Sequence, residues 1–208
     1  MSKITGMKPY LSMWTHPRST IRAIIDADPK SNIRYGILYL VTIFALQNML
    51  FYANWWSIGT QISSSTILIA GIFLSPFVGM AWVYIAGWIF YFTGRWLHGH
   101  APASHLRSAL AWSKIPVSIN LLTWLVFIIL DPKMAFVLNG GLPSAILLNA
   151  INLFTGIWSF ILLVQAVREI QKFTIGRALI NIVMGWVIYF LVVMIFIISF
   201  RYIYLISV

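Results

Sequence analysis

Charged residues are missing from five long stretches of this chain, at approximately 36–55, 66–94, 115–130, 144–167 and 178–200. Polar, Gly-bearing or Pro-bearing segments separate them. A helix needs about 20 largely apolar residues to cross a hydrocarbon core of roughly 30 Å, so each run predicts one membrane-spanning helix, giving an all-α bundle of five spans. The third run is the shortest. A helix beginning near Ser104 is expected to run into it through Ala109, Leu110 and Trp112, with Pro116 kinking the junction.

Ahead of the spans, residues 15–28 have the pattern of a short amphipathic helix. Thr15 can cap it, Pro17 suits its first turn, and Ile21, Ile24 and Ile25 fall opposite Arg18, Arg22 and Asp26. Pro29 stops it. Such a helix lies in the membrane interface or packs on the ends of the spans, because both settings reward the same amphipathicity. The chain thus divides into an N-terminal cytoplasmic segment, 1–34, and a five-span domain, 35–208.

Composition agrees with lipid as the main solvent. Of 208 residues 61% are hydrophobic and 9% charged, against about 25% charged in an ordinary globular domain. Cysteine is absent, which removes disulfides, thiolate nucleophiles and Cys-type zinc sites. The first 34 residues carry Lys3, Lys8, Arg18, Arg22, Lys30 and Arg34 without the apolar core of a cleavable signal.

The net charge of +10 is clustered between apolar runs, which suits a membrane surface and not a nucleic-acid-binding stripe. Twelve Lys or Arg fall on one side of the predicted topology: the six above, with Arg95, Arg107, Lys114, Arg168, Lys172 and Arg177. Two, Lys133 and Arg201, fall on the other. This asymmetry predicts a cytoplasmic N-terminus and an external C-terminus. Aromatic residues sit where interfaces belong: Tyr52, Trp55 and Trp56 at one outer end, Trp88 and Trp96 at an inner end, Tyr202 and Tyr204 at the last outer end. The two basic turns echo each other, Ser104 with Arg107, Ala109 and Leu110 matching Thr174 with Arg177, Ala178 and Leu179, as two capped helix starts.

Small residues Gly71, Ser75, Gly79 and Gly87 fall on a four-residue repeat broken only by Val83 in the second span, a pattern that lets two backbones approach closely; Pro76 among them offers a point of flexure. Asn149, Asn152, Gly156 and Ser159 form one face of the fourth span, which Asn120, Thr123, Asn181 and Gly185 could join. That face is either a polar cavity for a solute or lipid headgroup, or a set of interhelical hydrogen bonds. No Asp, Glu, Arg, Lys or His lies inside the five runs, which disfavours proton-coupled transport, and Lys114 and Arg201 are close enough to interfaces to snorkel.

Candidate chemistry is thin. His98, His100 and His105 share a cytoplasmic loop but match no zinc spacing, and Asp26 and Asp28 could hold a magnesium ion beside a phosphate, although Asp26 is also placed to pair with Arg22 on one helix face. No catalytic triad, phosphate-cradling loop or paired carboxylates is legible, so the chain is expected to be neither an enzyme nor dependent on a cofactor or metal.

Three segments carry a family likeness: Trp14-Thr15-His16-Pro17-Arg18; Gly94 and Ser104 with Ala109-Leu110-Ala111-Trp112-Ser113-Lys114-Ile115-Pro116; and Trp158, Gln165-Ala166-Val167-Arg168-Glu169-Ile170-Gln171 and Arg177-Ala178-Leu179. Across essentially its whole length the chain resembles the bacterial branch of the Yip family of Ypt- and Rab-interacting membrane proteins. The resemblance implies five spans and a cytoplasmic N-terminus, and it carries over no catalytic residue. Eukaryotic relatives act in vesicle traffic with prenylated small GTPases, but their Asp-Leu-Tyr-Gly-Pro segment and long polar N-terminal region are absent here, so GTPase binding does not carry across. The expected function is a bacterial inner-membrane organiser that binds anionic lipid, protein partners or further copies of itself through Arg95, Arg107, Arg168, Lys172 and Arg177. The alternative is a passive channel or lipid-handling protein with a polar path along Asn120, Asn149 and Asn152.

Overall fold

The structure is a computed structural model that describes residues 9–28, 34–132, 134–138 and 142–207. Pro29 and Lys133, and the side chains of Arg201, Tyr202 and Tyr204, lie outside what is described. Among the described residues there are eight α-helices and no strand: α1 Pro9–Thr15, α2 Pro17–Ala27, α3 Arg34–Trp55, α4 Ser64–Trp96, α5 Ala103–Trp112, α6 Ser118–Leu130, α7 Leu142–Gln171 and α8 Ile175–Ser207. Five segments are long and apolar enough to cross a membrane, Gly36–Trp55, Ser64–Trp96, Ala103–Leu130, Ile146–Gln171 and Ile175–Phe196. The third joins α5 to α6 through a single 3-10 turn at Ile115–Val117, so Pro116 interrupts the span where the sequence places the kink. Large apolar side chains such as Phe73, Phe77, Leu122, Ile129 and Phe196 are exposed around the bundle, as a lipid-facing surface requires.

The N-terminal segment holds two helices where the sequence suggests one. His16, not Thr15, is the residue before α2, and its backbone carbonyl accepts from the Thr20 hydroxyl at 2.8 Å. Pro17 occupies the first turn, where its missing N–H costs nothing. Ile21 and Ile24 are fully buried against the spans, chiefly α7, so α2 packs on the bundle. The preceding α1 is anchored by buried Met13 and by the Tyr10 ring, 5.1 Å from that of Trp112.

The small-residue row of α4 serves two neighbours in turn. A Cβ on Gly79 would run into the Val41 carbonyl of α3, and one on Gly71 would come within 3.1 Å of Leu46. Ser75 between them is fully buried. Further along, Gly87 receives the methylene stem of Arg107 from α5. Pro76 removes the N–H that would bond the Ile72 carbonyl, and the neighbouring Ser75 hydroxyl donates to that same carbonyl at 3.2 Å. The proline therefore leaves no orphan acceptor in hydrocarbon.

At the opposite end from α2, residues 134–138 tuck into the bundle. Phe136 is fully buried with its ring stacked 5.8 Å from that of Trp124, and its carbonyl accepts from Gly59 N at 2.9 Å. Asn54 Nδ2 donates to the Ala135 and Val137 carbonyls at 3.0 and 3.1 Å.

Candidate functional site

Two polar regions stand out. The first is the basic end of the bundle, where α2, the close of α4, the start of α5 and the turn between α7 and α8 meet. Both turns close in the same way: α4 ends with His98 at φ 64° and Gly99 N donating to the Gly94 carbonyl at 2.8 Å, and α7 ends with Lys172 at φ 58° and Phe173 N donating to the Arg168 carbonyl at 3.0 Å. The echo between the turns thus lies in their helix ends. Their helix starts differ, since Arg177 N donates to the Thr174 hydroxyl whereas α5 begins at Ala103 behind Pro102, with no side-chain cap. Gln171 ties the turns together by accepting from Ala101 N at 3.1 Å, and its side chain fills the space that a Cβ on Gly94 or Gly99 would need.

At the centre of this end is Glu169, the single glutamate of the chain and 4% exposed. Arg18 Nη2 approaches its Oε2 at 2.9 Å, Lys172 Nζ its Oε1 at 2.9 Å, and Arg22 also bonds Oε1. Arg22 therefore turns to Glu169 and not, as the helix spacing suggests, to Asp26. Around this hub Arg107 lies over the Tyr84 ring at 4.4 Å and Arg95 over the Tyr91 ring at 5.2 Å. Arg95 and Arg177 are exposed and Arg168 is half-buried. His98 and His100 are exposed, while His105 lines a shallow cleft with Arg22, Asp26, Glu169 and Lys172. Among the described residues no three His, Asp or Glu side chains are grouped to hold a metal.

The second region is a crevice of about 230 Å³ between α3, α6 and α7. Gln47 Nε2 and Asn120 Nδ2 both donate to Asn152 Oδ1 at 2.7 Å, and the Thr155 hydroxyl donates to Asn120 Oδ1 at 3.1 Å. Of the polar face expected on α7, Asn152, Gly156 and Ser159 line the crevice, but Asn149 is exposed and takes no part. Asn181 instead bonds Thr93 at 2.8 Å, Gly185 abuts Phe90, and the Thr123 hydroxyl bonds its own helix at Ile119.

Lys114 overturns the expectation that it snorkels. It is 9% exposed, lines the crevice, and holds its Nζ 4.8 Å from the Phe44 ring centroid and 5.7 Å from that of Trp82. Among the described residues no ion pair involves Lys114, so no carboxylate answers it. Two aromatic faces supply about 0.5–2 kcal/mol each, less than the several kcal/mol that desolvating an ammonium costs. The break between α5 and α6 brings Lys114 here, and hydropathy has no means of showing where a residue at such a break will point. Gln47 was missed for a related reason: it lies beside Asn48 in a largely apolar run, and hydropathy does not show which way either points. Glu169 carried a signal, as a lone acid among the cations that close a span.

The fold and these two regions define a polytopic helical membrane protein. The Yip1 domain matches residues 11–197, nearly the whole chain, and the protein belongs to that family of integral membrane proteins. No curated protein and no solved structure matches it.

Proposed function

We propose that this protein is a non-catalytic organiser of a bacterial inner membrane, holding anionic lipid at the basic end of its bundle, which faces the cytoplasm. The observation that carries this reading is the gathering of Arg18, Arg22, Arg95, Arg107, Arg168, Lys172 and Arg177 at one end, where among the described residues only Asp26, Asp28 and Glu169 oppose them. The cations that pair with Glu169 remain open to the outside, with side chains 50%, 58% and 70% exposed for Arg18, Arg22 and Lys172. One buried carboxylate fixes where they stand and leaves most of their charge unspent.

Each Lys or Arg near an anionic surface contributes about 1 kcal/mol, screened over a Debye length of about 8 Å in physiological salt. Neutralising Arg107 and Arg177 together should weaken binding of phosphatidylglycerol about tenfold. The test is native mass spectrometry of the full chain in detergent, titrated with phosphatidylglycerol or phosphatidylcholine. The Arg107→Gln/Arg177→Gln variant should bind the more weakly held phosphatidylglycerol molecules about tenfold less well, with phosphatidylcholine unchanged, while Asn149→Ala keeps them. Equal retention of both lipids by the unaltered protein would refute the reading.

A further inference from the structure

We propose that the crevice between α3, α6 and α7 is an anion site that takes one phosphate group, with Lys114 as its cation. This goes beyond the surface reading and does not depend on it.

The argument begins with which polar atoms in the crevice are used. Asn152 Oδ1 accepts two hydrogen bonds, from Gln47 and Asn120, and Asn120 Oδ1 accepts one from Thr155. These bonds fix the carboxamide of Asn152, so that its oxygen is spent and its Nδ2 is not. Both Asn152 Nδ2 and the hydroxyl of Ser159 are buried and have no partner, and Ser159 is 2% exposed. The crevice therefore holds a cation, a free amide donor and a free hydroxyl, while its best acceptor is already full. The neutral amide and hydroxyl oxygens of the crevice cannot balance the charge of Lys114, and no ion pair among the described residues does so, which an anion would. An oxyanion can accept from a group of each of these three kinds.

Size and access narrow the ligand. A volume of about 230 Å³ falls below the roughly 300–1,000 Å³ of sites for drug-sized molecules, and is generous for a single halide. A single tetrahedral phosphate group with the first atoms of its ester substituents lies between. The mouth opens sideways between α3 and α7, where Gly156 is exposed and a Cβ on it would meet nothing within 4 Å. Gln47 sits near the middle of the span Gly36–Trp55, so that mouth faces the bilayer. A phosphodiester headgroup can enter there with its acyl chains still in lipid, and inorganic phosphate is the other source of the same chemistry.

The full chain in detergent is titrated with phosphatidylglycerol and, separately, with inorganic phosphate, and read by native mass spectrometry and thermal shift. Lys114→Met removes the cation, and Gly156→Leu adds an apolar side chain at the mouth, where a Cβ meets nothing within 4 Å. Both should weaken the tightest-bound phosphatidylglycerol at least tenfold, whereas Arg107→Gln/Arg177→Gln should leave that one lipid in place. Stabilisation by inorganic phosphate that vanishes in Lys114→Met, with lipid retention unchanged, assigns the site to the free ion. Should Lys114→Met fail to fold, Gly156→Leu decides alone, because its side chain projects into open space. Lipid and phosphate binding that match the unaltered protein in Gly156→Leu and in every folded Lys114 variant would overturn the proposal.

Discussion

Arg18 Nε donates to Glu169 Oε2 at 3.0 Å across 151 positions of sequence. This contact, with that of Arg22 one turn further along α2, holds the N-terminal helix to the end of the fourth span. Apolar packing of Ile21 and Ile24 supplies adhesion, and Glu169 supplies register.

Glu169→Gln should therefore release α2. It removes the one anion beneath three cations, and a hydrogen bond to a charged group is worth about 1.5–3 kcal/mol. A loss of about 2 kcal/mol is expected in detergent unfolding. Trypsin should also cut faster at Arg18 and Arg22. Cleavage rates matching the unaltered protein would show that packing alone holds the helix.

Gly79→Leu should destabilise the bundle by about 3 kcal/mol, because the added side chain must push α4 off the Val41 carbonyl. Leu74→Ala, at a position 44% exposed, should cost under about 0.5 kcal/mol. Thermal unfolding of both variants in one detergent makes the comparison, and equal losses would remove the close approach of α3 and α4 as its cause.

Asn152→Ala should cost about 1 kcal/mol, since two donors lose a shared acceptor inside the bundle, each such pair being worth about 0.6 kcal/mol. Asn149→Ala, on the exposed side of the same helix, should be neutral. Chemical denaturation of the single variants separates them, and a comparable effect at Asn149 would return it to the polar cluster.

His98→Gly should stabilise the protein by about 1 kcal/mol, because a β-carbon at φ 64° is strained where glycine is not. The imidazole is exposed, so little packing opposes the change. An unfolding midpoint that does not rise would mean that His98 is held by something other than its backbone.

Reporters fused after residues 100 and 172 should be cytoplasmic, and those after residues 60 and 138 external, from the charge asymmetry of the loops. A reporter after residue 138 on the cytoplasmic side would break the proposed orientation.

The spans were legible because lipid imposes a crude rule: twenty apolar residues cross, and charged ones stay out. The same rule hid part of the crevice. Asn120 and Asn152 stood out in the sequence and do bond each other, but Gln47 lies beside Asn48 in a largely apolar run and reaches Asn152 across 105 positions. Gly71, Ser75 and Gly79 announced a close approach by their spacing, but the partner, α3, is settled by three-dimensional packing. Asn149 misled because a face drawn on a straight helical wheel ignores where the neighbouring helices stop. Residues 134–138 read as a plain loop, since the burial of Phe136 depends on Gly59 and Asn54, far away in sequence.

α4 contains 33 residues, which at about 1.5 Å each make a rod of about 50 Å, while the hydrocarbon layer is about 30 Å thick. A rod so much longer than its slot must lean or protrude, and the Ser75–Pro76 step lets it bend without exposing a bare carbonyl. Because Gly79 clamps α3 to α4 and Gly87 seats the stem of Arg107, any change in that lean is passed to the basic end of the bundle. Hydrophobic mismatch with a thinner or thicker bilayer therefore falls first on this one helix.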